Sequence, residues 1–388
     1  MPTVSYSKQN HLTLLHRGAE FFPALIRACD TAESEIYLET YIFALDDTAN
    51  QVVAALNRVA ARGVHVHVLT DWLGTGATSC AELAAGFALT GVHFRTFNPW
   101  FRRGVARTHR KIAVVDGRVA FLGGLNINDD LLSDEGSAVL LPAPRWDFAV
   151  RIVGPLVASI YAEATGQWAR QHFHTLRTRW ESLKKLRATR VERAQIVAEA
   201  ALVVRDNLRN RSTIQRALLH ALGHARHTAF FVTPYFAPSR KLRRALVMAA
   251  QRGVAVTLLI GVGQFRMQDA VAQWFYPKLA QAGVKLVEFR KTQLHGKVAV
   301  IDDEWATVGS SNFDGLSLFV NHEANILIRD TDFAQALREH IERGVADGSV
   351  IAPETVAQFS VARRAWNGLA YFLYKSVLQV ITAGKYTR

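Results

Sequence analysis

One short constellation of residues occurs twice in this chain. His109-Arg-Lys111 is followed by Asp116, and His295-Gly-Lys297 is followed by Asp302. In both copies a glycine stands 14 residues after the histidine (Gly123, Gly309) and an asparagine 17 residues after it (Asn126, Asn312). One copy alone is within reach of chance in a chain of 388 residues; two copies with the same trailing residues are not. Such doubling restricts the chain to folds that run one supersecondary plan twice.

The surrounding pattern repeats as well. In the first half an apolar run, 35–41, precedes a helical stretch at 50–61 that ends at Arg62-Gly63-Val64. A strand over 64–69 follows, then a second helical stretch ending at Thr90-Gly91-Val92, then a strand over 92–97. In the second half the same order reads 230–235, a helix over 241–250, Arg252-Gly253-Val254, a strand over 254–260, a helix through Leu279, Ala282-Gly283-Val284, and a strand over 284–289. Glycine just past a helix accepts the left-handed conformation that releases the chain into the next strand. Strands alternating with helices predict an α/β fold. The expected architecture is two similar α/β domains related by internal duplication, each a mixed sheet flanked by helices. Their boundaries are 1–175 and 201–345, with a basic connector at 176–200 and a C-terminal tail at 346–388. Within the connector, residues 177–193 are rich in Arg and Lys, and Leu176, Trp180, Leu183 and Leu186 keep helical spacing.

Valine and isoleucine around each motif predict a strand. Side chains two apart on a strand share a face, so each His–Lys pair points to one site. Asp116-Gly117 predicts a hairpin turn, with 119–122 returning antiparallel and bringing the Gly and Asn back beside the histidine. Glycine there lets the backbone approach a ligand closely.

Composition narrows the partners. The net charge of +13 and pI near 10.0 favour anionic ones: phosphorylated substrates, an anionic membrane surface or nucleic acid. The cysteines, Cys29 and Cys80, have no metal-ligand or disulfide-framework spacing. No basic start and apolar run opens the chain, and no run of about 18 apolar residues occurs. The expectation is a protein made in the cytoplasm and staying there, free or on a membrane surface.

The doubled motif resembles the signature of the phospholipase D superfamily, and the resemblance runs from about residue 14 to 343. Within that superfamily the chain is similar to bacterial cardiolipin synthases, especially the B type without N-terminal membrane helices. The residues that carry this are Glu39-Thr-Tyr-Ile-Phe43, Thr108-His-Arg-Lys-Ile-Ala-Val-Val-Asp-Gly117, Phe121-Leu-Gly-Gly-Leu-Asn-Ile127, Val150-Arg-Ile-Val-Gly-Pro155 and Gly309-Ser-Ser-Asn-Phe-Asp314.

Cleaving a phosphodiester needs a nucleophile, an acid for the leaving alkoxide and positive charge around the phosphorus. Two histidines can take the first two roles. The residues alone do not order them; the resemblance implies His109 as nucleophile, forming a phosphohistidine, and His295 as acid and base. Lys111 and Lys297 supply charge to the non-bridging oxygens, so no metal or other cofactor is expected. Asn126 and Asn312 are expected to donate hydrogen bonds to substrate. Asp116 and Asp302 complete the motifs, and the resemblance implies loop supports rather than proton carriers. A neutral histidine needs its second nitrogen held by an acceptor. Asp147 and Glu323 occupy matching places for that, 38 and 28 residues after the motif histidines, with an insertion at 131–144 accounting for the difference.

Two segments bear on membranes. Residues 98–107, Asn-Pro-Trp-Phe-Arg-Arg-Gly-Val-Ala-Arg, form an aromatic and basic loop that suits an anionic headgroup or nucleic-acid bases. Phe359, Ala362, Trp366, Leu369, Leu373, Val377 and Val380 make an apolar stripe at helical spacing with Arg364 and Lys375 roughly opposite. This predicts a helix that lies in a membrane surface or docks on the core. The resemblance implies phosphatidyl transfer with phosphatidylglycerol as substrate, giving cardiolipin and glycerol, by a peripheral protein of the bacterial inner membrane. No nucleic acid is expected as partner, and a monomer can hold the whole site. A phospholipase D hydrolase and a nuclease of the same superfamily are the alternatives.

Overall fold

A computed structural model describes residues 4–133, 139–171, 198–207 and 210–382. In each half the apolar runs become parallel strands, buried almost throughout in Thr228–Thr233 and Ala255–Gly261 and alternating at their starts in the first half. Ile36 and Leu38 on Glu35–Thr40, and Val66 and Val68 on His65–Asp71, are buried this way. Helix Asp47–Ala61 is started by Asp46, whose side chain accepts from Ala49 N, and it buries Val52, Leu56 and Val59. It stops at Arg62-Gly63, where Gly63 takes φ 90. The second half repeats these devices. Ser239 caps helix Arg240–Gln251 by accepting from Leu242 N, and Gly253 ends it at φ 93.

Among the described residues Phe236–Ala237 pairs with Phe313–Asp314 in a separate two-stranded sheet, and fifteen other strands form one mixed sheet. From its centre the first half runs outwards as Ser7–His16, Phe148–Val153, Val119–Gly123, Ile112–Val115, Glu35–Thr40, His65–Asp71 and His93–Phe97. The second half runs the other way in the same order: Ala198–Arg205, Glu323–Arg329, Trp305–Gly309, Val298–Ile301, Thr228–Thr233, Ala255–Gly261 and Lys285–Phe289. Seven strands match seven, with Ser349–Ile351 added at the outer edge of the second half. Strand Ser7–His16 pairs antiparallel with Ala198–Arg205 and joins the halves.

The halves are therefore less separate than two domains with a linker. Trp146, Phe148 and Ile152 of the first half share a core with Leu259, Val300, Ile326 and Leu337 of the second. The central strand begins at Ala198, inside the segment expected to be connector, and Ser349–Ile351 knits the start of the tail into the sheet. The basic stretch 177–193 lies outside the described residues, as does 134–138 of the insertion. No helix among the described residues is long and apolar enough to cross a membrane.

Each motif strand turns through a tight hairpin. In the three-residue connections from Val115 to Val119 and from Ile301 to Trp305, Asp116 and Gly117 take φ 52 and 63, and Asp302 and Asp303 take φ 52 and 54. The motif aspartates then reach the neighbouring strand. Asp116 accepts from Glu33 N, Ser34 N, Ser34 Oγ and Glu35 N at 2.8–3.0 Å. Asp302 accepts from Arg226 N, His227 N and Thr228 N at 2.7–2.9 Å. Burial opposes ionisation of both, but these N–H donors outweigh it and hold the carboxyls below the usual value. Asp302→Ala should cost about 1–3 kcal/mol of stability, measured by denaturant unfolding at neutral pH. A depressed folded-state value puts this stabilisation above the unfolded carboxylate range. The gap between wild type and variant should therefore close as pH falls below about 4.

Candidate active site

His109 and His295 lie just before strands Ile112–Val115 and Val298–Ile301, where the backbone leaves its own sheet to hydrogen bond with the opposite half. His109 N donates to His322 O at 2.9 Å, and His322 N donates to Arg107 O at 2.8 Å. On the other side His295 N and Gly296 N both donate to Trp146 O at 2.9 Å, and Trp146 N donates to Gln293 O. Each motif histidine is thus aligned with the residue that precedes a carboxylate of the other half.

The side chains follow. His109 Nδ1 pairs with Glu323 Oε2 at 3.0 Å, and His295 Nδ1 pairs with Asp147 Oδ2 at 2.6 Å. Both partners cross between halves, so the within-half offsets of 38 and 28 residues have no bearing on the pairing. All four residues are buried. Lys111 and Lys297 are buried with them, each Nζ donating to the carbonyl oxygen of its own motif histidine. Lys297 Nζ also lies 4.0 Å from Asp147 Oδ2.

The two pairs are electrostatically unequal. Burial pushes His109 below the ordinary imidazole value; Glu323 opposes this, and Lys111 and Lys297 add to it. Burial also opposes ionisation of Glu323, but His109, Lys111 and the Ser310 hydroxyl outweigh it and hold the carboxyl low. A neutral imidazole donating Nδ1–H to an ionised carboxylate satisfies both trends and leaves the Nε2 lone pair directed elsewhere. Asp147 goes the other way: burial pushes its carboxyl up, against Lys297, Phe148 N and Lys111.

Local chemistry around the carboxylates explains the difference. Ser310 Oγ donates to Glu323 Oε2 and accepts from Ala324 N. The matching residue in the first half is Gly124, where a Cβ would stand 2.2 Å from Asp147 Oδ1. Glycine there clears space for the carboxylate. At Gly123 and Gly309 the missing Cβ makes room for protein. A Cβ on Gly123 would meet Phe148 O at 2.3 Å, and one on Gly309 would meet Asn325 Cγ at 2.3 Å, so both are required by the adjoining strand.

Asn126 and Asn312 are buried in the loops after the return strands. Asn126 Oδ1 accepts from Ile42 N at 3.2 Å, which turns its amide NH2 away from that strand, and Asn312 Oδ1 is buried without a hydrogen-bond partner. Asp116 and Asp302 are not brought to the histidines. Five residues beyond the lysines at about 3.3 Å each, they sit at the far ends of the motif strands.

Several residues escaped the sequence reading. Glu39 accepts from Thr108 Oγ and from Arg110 Nε and Nη2, at 3.1 and 2.7 Å for the arginine, so one buried carboxylate clamps both neighbours of His109. Tyr41 sets its ring edge-on to His109, centroids 4.8 Å apart. Both lie in the Glu39–Phe43 run, but periodicity marks that run only as strand. Asp147→Asn and Glu323→Gln should each lower kcat by about 100-fold or more, because the amide can bind the wrong imidazole tautomer. Thermal midpoints close to wild type in both variants would separate that loss from unfolding.

Comparison with known proteins identifies the family. A family model described as cardiolipin synthase, phospholipase D-like domain, matches residues 25–141 and 218–345. Cardiolipin synthase B of Escherichia coli is 36% identical over an alignment spanning 96% of this chain and 88% of that protein. The minor cardiolipin synthase of Bacillus subtilis is 26% identical, over 94% of this chain and 90% of that one. Among solved structures, a phosphatidylserine synthase of Haemophilus influenzae superposes with a TM-score of 0.69 at 15% identity, covering 98% of this chain and 97% of that one. That likeness concerns the fold; the sequence matches carry the family. The chain belongs to the cardiolipin synthase family of phospholipase D-like proteins.

Proposed function

We propose that this enzyme is a phosphatidyltransferase that makes cardiolipin from two molecules of phosphatidylglycerol, releasing glycerol, through a phosphohistidine on His109. The observation that carries the reading is the pair of buried imidazoles, each backed by a carboxylate of the opposite half, in a chain 36% identical to a cardiolipin synthase B.

His109 is the neutral partner, so its Nε2 lone pair attacks phosphorus. The bond from phosphorus to the headgroup glycerol breaks, and His295, protonated, gives its proton to that leaving oxygen. The 2.6 Å contact to Asp147 supports a proton held in that pair. His295 is then neutral and takes the proton from a hydroxyl of the second phosphatidylglycerol. Its oxygen attacks phosphorus, and the P–N bond to His109 breaks. Lys111 and Lys297 balance the charge that develops on the non-bridging oxygens, and Asn126 and Asn312 donate to them. Among the described residues no three His, Cys, Asp or Glu side chains cluster to hold a metal ion. Both lipids reside in a bilayer, so the enzyme works peripherally at the bacterial inner membrane.

The order of roles makes a pH prediction. Activity needs His109 neutral and His295 protonated, so kcat/KM should be bell-shaped. Because His109 is pushed below the ordinary value of 6.5, the acid limb should fall below pH 6.5. The alkaline limb should follow loss of the proton from the His295–Asp147 pair, as one coupled titration. A profile flat from about pH 5 to 9 contradicts the two-histidine cycle.

Product analysis tests the reaction itself. Phosphatidylglycerol vesicles with purified enzyme should yield cardiolipin and free glycerol on thin-layer chromatography, unchanged by EDTA. Mostly phosphatidic acid would make the enzyme a hydrolase. Cleavage of an oligonucleotide with no lipid product would make it a nuclease.

A further inference from the structure

Two exposed apolar patches are tied by hydrogen bonds to the segments that carry His109 and its partner Glu323, one through Asp71 and Thr108 and one through Tyr374 and Gly315. In the first half, short helix Trp72–Thr75 and turn Pro99–Phe101 bring three aromatic rings together, with Trp100 and Phe101 5.1 and 5.4 Å from Trp72. Trp100 is 69% exposed and Phe101 46%. Their backbones take φ 55 and 53, the left-handed region that bulky residues avoid. Asn98 fixes this shape by donating to Gly104 O and Ala106 O at 2.7 and 2.8 Å. The rings are therefore held outwards by a built loop. At its base Asp71 caps helix Trp72–Thr75 through Oδ1 and accepts from Thr108 N through Oδ2, one residue before His109.

The second patch is the outer face of helix Val361–Ile381. Its inner face docks on the second half: Asn367, Ala370 and Leu378 are buried, and Tyr371 stacks on Trp274 at 5.7 Å. Tyr374 Oη accepts from Gly315 N at 2.9 Å, and Leu378 is buried against Val320. Gly315 and Val320 lie on the short connection from Asn312 to Glu323, the carboxylate that holds His109. The outer face carries Trp366, Leu369, Phe372, Leu373, Val377 and Val380, from 45% to 83% exposed. A monomeric surface rarely leaves so continuous an apolar stripe uncovered.

Charge identifies what covers both patches. Loop 98–107 holds Arg102, Arg103 and Arg107 and no acidic residue; helix Val361–Ile381 holds Arg363, Arg364 and Lys375 and none either. Two copies of such a face would repel each other. An anionic surface with an apolar interior matches both features. We propose that loop 98–107 and the outer face of Val361–Ile381 form one docking rim for an anionic phospholipid bilayer, flanking the His109–Glu323 pair. This rests on the lipid-transfer reading and adds how the buried site meets its substrate: the headgroup rises to His109 while the acyl chains stay in the bilayer.

The test is co-sedimentation of the full chain with vesicles of phosphatidylglycerol in phosphatidylcholine, beside vesicles of phosphatidylcholine alone. The double variants Trp100→Ser/Phe101→Ser and Leu369→Ser/Phe372→Ser should each bind phosphatidylglycerol vesicles about tenfold more weakly. Turnover of short-chain phosphatidylglycerol below its micelle concentration should stay within about twofold, since the rim acts before chemistry. Salt at about 0.5 M should weaken wild-type binding. In wild type, brominated phosphatidylglycerol should quench tryptophan fluorescence, less so in Trp366→Phe, a readout that survives if a double variant misfolds. Equal binding to both vesicle types, or unchanged binding by both double variants, overturns the rim. So does a wild-type dimer that the variants dissociate with vesicle binding intact, which would make this face a contact between copies. Binding that falls in the variants while wild type makes no lipid product removes the transfer reading and leaves the rim standing.

Discussion

Two buried hydrogen bonds between the halves, His109 to Glu323 and His295 to Asp147, are what the rest of the molecule is organised to make. A buried imidazole needs an acceptor for one nitrogen before the other can do chemistry, and here neither half supplies its own. The acceptor arrives only when the motif segments pair across the molecule, Thr108 with His322 and Trp146 with Leu294. The joined central strands and the shared core around Trp146 and Phe148 hold that pairing in register. Neither half is chemically complete without the other, even though each has the full fold of its repeat.

Duplication produces a near-symmetric frame, and a few substitutions break its symmetry around the two histidine–carboxylate pairs. Ser310 gives Glu323 a hydroxyl donor, while its counterpart Gly124 only makes room for Asp147. Arg110 inside the first motif is clamped by Glu39 and Glu163, whereas its counterpart Gly296 lies under the Trp146 ring, where a Cβ would come within 2.8 Å. The two carboxylates respond in opposite directions: His109, Lys111 and the Ser310 hydroxyl hold Glu323 low, while burial pushes Asp147 up. Lysines at both motifs keep the enclosed site positive, which suits a phosphate and opposes protonation of His109.

The same frame carries two exposed apolar surfaces. Asp71 links the short helix Trp72–Thr75 to Thr108, and Tyr374 links the C-terminal helix to Gly315. Exposed apolar surface is thereby fastened to the segments that carry His109 and Glu323. The expectation for the C-terminal stripe offered two outcomes, membrane surface or core, and the helix divides them between its faces. Asn367, Ala370 and Leu378 turn inwards, while Trp366, Leu373 and Val380 turn out.

The sequence by itself determined the repeat, the α/β class and the motif residues, because these depend on local spacing. Alternating apolar positions select strands, glycine after a helix selects the turn, and a doubled His–Lys pattern has few explanations besides a doubled site. Asp147 and Glu323 were also legible, as carboxylates at matching places. Which histidine each serves was not, because contacts across 148 and 214 residues leave no periodic trace. Nor was the role of the glycines after the motifs, since what a missing Cβ makes room for is visible only once Asp147 and Asn325 are in position. Spacing also put Asp116 and Asp302 in the motif without saying that an extended strand carries them away from the histidines. Local interactions are written along the chain; partners across the interface and the electrostatic inequality between the pairs exist only after the halves close on each other.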